Sequence, residues 1–292
     1  MQGVIIKGIG GFYYVQCGDI VYECKAIGRF RFDEISPLVG DKVEITTDKD
    51  KGIMEKIYTR SNELLRPSVA NVTQAFVIFT IKNPDLNYEL INKFLLLSEY
   101  NGLKIYICIN KMDLLNEDDK KAFEDYFIGT SYNIHFINSK EGIGIDDLKG
   151  ILSDNITVFC GPSGVGKSTL LNTLAGEEKM FTGEISGKNN RGKHTTRHSE
   201  LIKVDKGYII DTPGFSSLEL DFFIKEEVQN LFPEFEVYKD NCRFKSCMHL
   251  KEPSCAVKEA VELEKISKYR YDFYVKTVES LNKPTYGGKK KK

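Results

Sequence analysis

Residues 156–175 read ITVFCGPSGVGKSTLLNTLA, and this stretch decides the central fold. The apolar run ITVFC is a buried strand, the turn Gly161-Pro162-Ser163-Gly164-Val165-Gly166-Lys167-Ser168 is a complete G-x-x-x-x-G-K-[ST], and TLLNTLA opens a helix. Strand, glycine-rich loop and helix in that order are the context of a phosphate-binding P-loop. The glycines let main-chain N–H groups turn inward around a phosphate, and the helix adds its positive N-terminal end. Lys167 is expected to reach the β- and γ-phosphates, Ser168 to ligate Mg²⁺, and Thr169 to lie in the first turn of the cradle.

A P-loop does not choose the base. Upstream, Asn110-Lys111-Met112-Asp113 ends the apolar strand KIYICIN. An N-K-x-D at a strand end offers the Asp113 carboxylate to the two N–H donors on the guanine edge, where adenine presents an acceptor in place of one of them. Lys111 would pack its stem over the base, and Asn110 would tie the loop to the P-loop. Ser139-Lys140, after the strand IHFINS, is the companion loop at the base edge. A guanine nucleotide, GTP or GDP, is therefore expected rather than the ATP of a P-loop kinase.

Downstream, YIIDTPG at 208–214 ends another apolar strand. Asp211 would hold Mg²⁺ through water, and the Gly214 N–H would sense the γ-phosphate. Between lies GKNNRGKHTTRH at 187–198, with four basic residues and no acid, which reads as a switch segment. Thr195 or Thr196 is placed to reach Mg²⁺ and the γ-phosphate, and the residues do not choose between them. Many GTPases carry a water-orienting glutamine just after DxxG; here that position is Phe215, so intrinsic hydrolysis is expected to be slow. His194, beside the threonines, is the internal candidate for orienting water, although a histidine on a basic loop also suits an RNA contact.

The order of these parts is unusual: N-K-x-D and Ser139 precede the P-loop, the switch threonines and DxPG. A parallel sheet tolerates such rewiring because its sites sit on loops at one edge. The expectation is a circularly permuted P-loop GTPase domain over residues 68–221, where strands and amphipathic helices alternate. Residues 1–67 read instead as short strands punctuated by Gly10-Gly11, Gly18-Asp19, Pro37 and Gly40-Asp41. A five-stranded OB-like barrel fits their length, and other small barrels remain open.

Residues 222–292 read as helical and contain Cys242, Cys247, His249 and Cys255, spaced C-x4-C-x-H-x5-C. Three thiolates and an imidazole so close suit tetrahedral Zn²⁺, and four protein ligands leave no open position, so one structural zinc is expected. Cys17, Cys24, Cys108 and Cys160 lie in β-like runs and read as small buried hydrophobes. Of the 292 residues 41 are basic and 42 acidic. That near-neutral total cancels a net +7 from Lys239 to Lys292 against −8 in the rest. In that basic part Lys265, Lys268, Arg270 and Lys276 interleave with Tyr269, Tyr271, Phe273 and Tyr274, a pattern that suits RNA and equally a helix with buried rings. No run approaches the ~18 apolar residues of a membrane span, and the start MQGVIIKGIGGFYYV lacks signal-peptide features. A cytoplasmic protein without membrane contact is expected.

NKMD at 110, GPSGVGKS at 161, GKHTTR at 192, DTPGF at 211 and CRFKSCMH with Cys255 stand in an order that closely resembles the RsgA (YjeQ/YloQ) family of ribosome small-subunit-dependent GTPases. The resemblance spans nearly the whole chain. It implies an OB-fold barrel, a permuted GTPase domain and a zinc-containing helical domain. It also implies a role in late maturation of the 30S subunit, contact with 16S rRNA, low GTPase activity that the subunit stimulates, and a monomeric state.

Overall fold

The computed structural model describes residues 1–27, 36–65, 67–176, 200–210 and 220–281. β1 (Gln2–Ile9), β2 (Phe12–Cys17), β3 (Ile20–Ala26), β4 (Lys42–Asp48) and β5 (Lys51–Ile57) close a barrel in the order β1-β2-β3-β5-β4. All its pairings are antiparallel except β3 with β5. The strand count and closure answer the OB-like expectation. Alternation places Ile5, Val15, Cys24, Val43, Ile45 and Met54 in its fully buried interior. Gly10-Gly11, both at positive φ, supply the two-residue turn of the first hairpin. The buried Asp41 carboxylate receives both Nε and Nη2 of Arg60, at 2.7 and 2.8 Å. This fork fastens the chain leaving β5 back to the barrel. A two-stranded hairpin, β6 (Glu63–Leu65) with β7 (Ser68–Ala70), then leads into the central domain.

That domain is a six-stranded sheet ordered β10-β9-β8-β11-β13-β12. It comprises β8 (Gln74–Phe79), β9 (Lys104–Ile109), β10 (Asn133–Phe136), β11 (Ile156–Cys160), β12 (Leu201–Val204) and β13 (Gly207–Ile210). All neighbours are parallel except β12 with β13. The helices are α1 (Tyr88–Tyr100), α2 (Glu117–Tyr126), α3 (Ile145–Leu152) and α4 (Lys167–Ala175). Every residue of β8 is buried because its two faces serve two cores. Ala75, Val77 and Phe79 pack with residues of α1 and α2, and Phe76 and Ile78 with residues of α3 and α4. This is why the parallel strands read as continuous apolar runs. The P-loop strand β11 sits between β8 and β13, and the loops after β9, β10 and β11 leave the same edge.

Beyond 220 the chain is less regular than expected. Two 3-10 turns, Lys225–Leu231 and Pro233–Phe235, and a four-residue helix, Glu236–Lys239, precede α5 (Ala256–Glu262) and α6 (Lys268–Ser280). Their core gathers Val228, Phe232, Phe235, Cys247, Cys255, Tyr274 and Val278, with Leu96 and Leu97 of α1 joining from the central domain. The helix α6 settles a question the sequence left open. Arg270, Phe273 and Tyr274 are buried, and Tyr271 and Tyr274 donate to the carbonyls of His249 and Met248 at 2.7 and 2.6 Å. Phe273, Tyr274 and the Arg270 guanidinium are core and cannot stack on RNA, while Tyr271 is half-buried against that core. Tyr269, 69% exposed, is the ring of that set that faces outward.

The barrel meets the central sheet at β12. Lys7 pairs through its main chain with Glu200 and joins its carboxylate at 2.8 Å. Lys203 reaches Asp19 in the β2–β3 turn, also at 2.8 Å. No helix among the described residues is long and apolar enough to cross a membrane.

Candidate nucleotide site and metal cluster

At the end of β9 the chain turns sharply: Lys111 adopts left-handed φ of 60° before the 3-10 turn Met112–Leu114. Asn110, 3% exposed, uses its whole amide. Nδ2 donates to the Val165 carbonyl at 2.8 Å and to Ser139 Oγ at 2.9 Å, while Oδ1 accepts the Ser139 N–H at 3.0 Å. One side chain thus joins the loops after β9, β10 and β11. Its oxygen and nitrogen are assigned by their partners, since a carbonyl can only accept and a main-chain N–H only donate.

The P-loop is shaped by close approach. Gly161 has φ 146°, and a Cβ there would lie 2.1 Å from the Ile78 carbonyl oxygen. Gly166, the residue before α4, has φ 94°, and its Cβ would meet Asn110 Nδ2 at 2.3 Å. Any side chain at either position would push the strands or the base loop apart. Val165 is fully buried and anchors the loop in the α3–α4 core. Lys167 Nζ donates to the Gly161 and Pro162 carbonyls at 2.9 and 2.6 Å, so its charge lies over the glycine loop. Ser163 and Thr169 are exposed, and Ser168 is half-buried in the first turn of α4.

Two residues that the motif reading passed over complete the base loop. Lys111 Nζ donates to the carbonyls of Asn83 and Gly164, at 2.5 and 3.1 Å, which stretches its stem from the loop after β8 to the P-loop. Asn138 donates through Nδ2 to Asp113 Oδ1 at 2.9 Å. Thr173 of α4 adds a hydrogen bond to the Ser139 carbonyl at 2.7 Å. The Lys140 side chain is exposed, and its N–H is held by Asn138 Oδ1 at 3.1 Å. Asn83 carried no sequence signal, because its carbonyl acts and not its side chain. Asn138 could have been found as a polar residue at the strand end beside Ser139. His194, Thr195, Thr196, Asp211, Gly214 and Phe215 lie outside the described residues.

The second cluster is Cys242, Cys247, His249 and Cys255, whose ligand atoms all lie within 4.8 Å of one another. Zinc bonds of about 2.3 Å to sulfur and 2.0–2.1 Å to nitrogen in a tetrahedron require S···S edges near ~3.8 Å and S···N edges near ~3.6 Å. The Sγ atoms of Cys242 and Cys255 are 3.8 Å apart, and His249 Nδ1 lies 3.6 and 3.4 Å from them. The donor set and its spacing fit zinc. Burial pushes the Cys247 thiol up to about 12 and the His249 imidazole below its usual range. The imidazole is thus kept neutral, the form that binds metal, and a cation would supply the charge that deprotonates the thiols. Left-handed φ at His249 and Ser254 folds the segment around the cluster. Glu252 accepts the N–H groups of Met248 and Leu250, both at 2.9 Å.

A P-loop on the central strand, with the N-K-x-D loop docked beside it yet earlier in the chain, defines a circularly permuted P-loop GTPase. Here it follows a barrel and precedes a Cys3His helical domain. The family model of the RsgA GTPase matches residues 57–221 and that of the RsgA N-terminal domain residues 2–53. The chain belongs to the RsgA GTPase family and is a GTP-hydrolysing enzyme. It is 55% identical to the small ribosomal subunit biogenesis GTPase RsgA of Clostridium perfringens, over 96% of this chain and 98% of that one. The relative of the same name from Clostridium acetobutylicum is also 55% identical, over 97% and 98%. Among solved structures, YloQ, described as a circularly permuted GTPase, superposes with a TM-score of 0.83 at 38% identity, covering 98% of this chain and 96% of that one. YjeQ from Thermotoga maritima also gives 0.83, at 36% identity over 97% and 99%.

Proposed function

We propose that this GTPase is an assembly factor that binds the 30S ribosomal subunit through its 16S rRNA and acts in late maturation, hydrolysing GTP slowly until the subunit stimulates it. The observation that carries the nucleotide half is the Asn110 amide, which locks the base loop, the Ser139 loop and the P-loop into one unit. The ribosomal half is supported by the names of relatives 55% identical over nearly the whole chain.

In this reading Asp113 accepts the guanine N–H groups and Lys111 covers the base. The loop Gly161–Ser168 wraps the phosphates, and Lys167 leaves its two carbonyl partners for the β- and γ-oxygens. Ser168, Asp211 and Thr196 or Thr195 hold Mg²⁺, Gly214 senses the γ-phosphate, and His194 orients the attacking water. Zinc on the Cys3His cluster is structural. The protein acts as a monomer in the cytoplasm.

The test is GTP turnover titrated with purified 30S subunits, alongside metal analysis of the same sample. Turnover should rise with subunit and saturate, and a flat titration would sink the proposal. Phe215 favours a second reading, a GTP-dependent RNA-binding scaffold in which hydrolysis is incidental. Single-turnover hydrolysis by wild type and His194→Ala, with and without 30S, separates the two.

A further inference from the structure

Tyr269, in the first turn of α6, is 69% exposed, and its ring stacks on Tyr126 of α2 with centroids 5.7 Å apart and planes 16° apart. Tyr126 is buried and held. Asn92 donates to its hydroxyl at 2.6 Å, and the Tyr88 ring stacks on it at 4.2 Å. The outward ring is therefore fixed on one face and open on the other. Beside it a seam joins the end of α2 to the turn between α5 and α6. Ser267 donates its N–H to the Ile128 carbonyl at 3.3 Å, and a Cβ on Gly129 would lie 2.3 Å from the Lys265 carbonyl oxygen. Along this seam Ile128 is 46% and Leu263 58% exposed, so two large apolar side chains accompany the open ring.

The charges choose the occupant. Residues 124–129 and 262–269 hold four acids and two lysines. Glu124, Asp125, Glu262 and Glu264 are exposed, and among the described residues none of them is in an ion pair. The lysines that made α6 resemble an RNA face are largely spent: Lys268 pairs with Asp272 and Lys276 with Glu89, both at 2.6 Å. A nucleic acid laid here would bring phosphates against unpaired carboxylates. A guanidinium gains from both features, because its weakly hydrated plane stacks on an open aromatic face and its N–H groups donate to carboxylates alongside. We propose that the Tyr269 face is a docking surface for an arginine-rich protein segment, with one arginine stacked on the ring and its neighbours taken by the flanking carboxylates. The inference rests on the 30S reading, since the particle supplies that segment.

Photocrosslinking on purified 30S subunits tests it in the full-length, zinc-loaded protein. Tyr269→p-benzoylphenylalanine keeps an aromatic group at the site and links on irradiation to whatever touches it. The adduct should resist ribonuclease, fall to protease and map to an arginine-rich stretch of a subunit protein. An adduct with rRNA or with a segment poor in arginine overturns the proposal, as does no adduct from a variant that cosediments with the subunit. Affinity for 30S adds a test of sign. Tyr269→Ala should weaken binding about two- to fivefold, the value of an exposed cation–π contact, while Tyr269→Phe stays near wild type. Glu262→Lys combined with Glu264→Lys should also weaken it, and tighter binding would mean that phosphates lie there instead. GDP affinity should be unchanged in all of these, since none of the residues belongs to the nucleotide loops. Unchanged 30S binding in both Tyr269→Ala and the double variant would overturn the docking role alone. If wild type does not cosediment with 30S, the ribosomal reading fails and this inference with it.

Discussion

Arg270 and Asn92 are 178 positions apart in the chain, yet Arg270 Nη1 donates to Asn92 Oδ1 at 2.7 Å, buried from solvent. Nε and Nη2 of the same guanidinium fork onto the Glu234 carboxylate at 2.7 and 3.1 Å. Asn92 passes its own NH₂ to the Tyr126 hydroxyl at 2.6 Å. The rings of Phe127, Tyr132 and Phe232 surround the charge at 5.1–5.8 Å. A residue of α6 in the cluster domain is thereby keyed to α1 and α2 of the nucleotide domain.

Breaking that key should be costly, while replacing it need not be. Arg270→Ala would leave the Glu234 carboxylate buried without a partner, a loss of about 3–5 kcal/mol. Arg270→Met combined with Glu234→Leu removes both charges and keeps the volume, and should be milder than either single change. Urea midpoints of Arg270→Ala, Arg270→Met, Glu234→Leu and the double variant check this. A double variant worse than Arg270→Ala would show that the pair itself, rather than its balance, holds the domains.

Much of the site was legible because it is local. GPSGVGKS and NKMD each carry their chemistry within eight and four residues, and the Cys3His spacing within fourteen. The chain order of the motifs betrays the permutation, since it needs no distances. Arg270 was not legible. Its partners lie 36 and 178 positions away, so a lysine- and tyrosine-rich helix resembled an RNA face although its central rings and its arginine are core. Asn138 offered a signal as a polar residue beside Ser139, but its hydrogen bond to Asp113 depends on which end of the amide faces the carboxylate, and no spacing encodes that.

Asp113→Asn should change the preferred base rather than abolish binding. Guanine presents two N–H donors that an amide cannot both accept, and loss of a charged acceptor should weaken GDP at least about hundredfold. Xanthine carries a carbonyl where guanine has its 2-amino group. In the variant the amide oxygen still accepts from Asn138 Nδ2, and the new NH₂ is free to donate to that carbonyl. Competition of GDP and xanthosine diphosphate against a labelled nucleotide decides the matter. A variant that binds neither, while unfolding at the wild-type temperature, would count against Asp113 as the base selector.

Removing the metal should loosen one end of the molecule and spare the other. The core around the Cys3His cluster is shared with Leu96 and Leu97 of α1, whereas the P-loop helix packs in a separate core with α3. Cys255→Ala, or a strong chelator, should therefore abolish stoichiometric zinc and lower the unfolding temperature. Zinc-site folding energies reach about 10–16 kcal/mol in peptides. GDP affinity should change by less than about tenfold. Zinc content by metal analysis, paired with a GDP titration, reads both, and loss of nucleotide binding with the zinc would show that the two cores are not independent.

Two glycines of the P-loop separate backbone strain from contact. Gly164 and Gly166 both have left-handed φ, 85° and 94°, so alanine at either carries a conformational cost of about 1–3 kcal/mol. At Gly164 the nearest atom to a new Cβ is Pro84 Cδ at 3.8 Å, an ordinary contact; at Gly166 it is Asn110 Nδ2 at 2.3 Å. Gly166→Ala must expel the amide that joins three loops, and so should weaken GDP beyond what Gly164→Ala does, by about a further ten- to hundredfold for the buried bonds lost. It should also erode discrimination against ADP, because the base loop is released together with the phosphate loop. GDP and ADP affinities of the two variants, measured side by side, test this. Equal losses in both would mean that strain alone governs the loop and that the Asn110 bridge is not what couples base to phosphate.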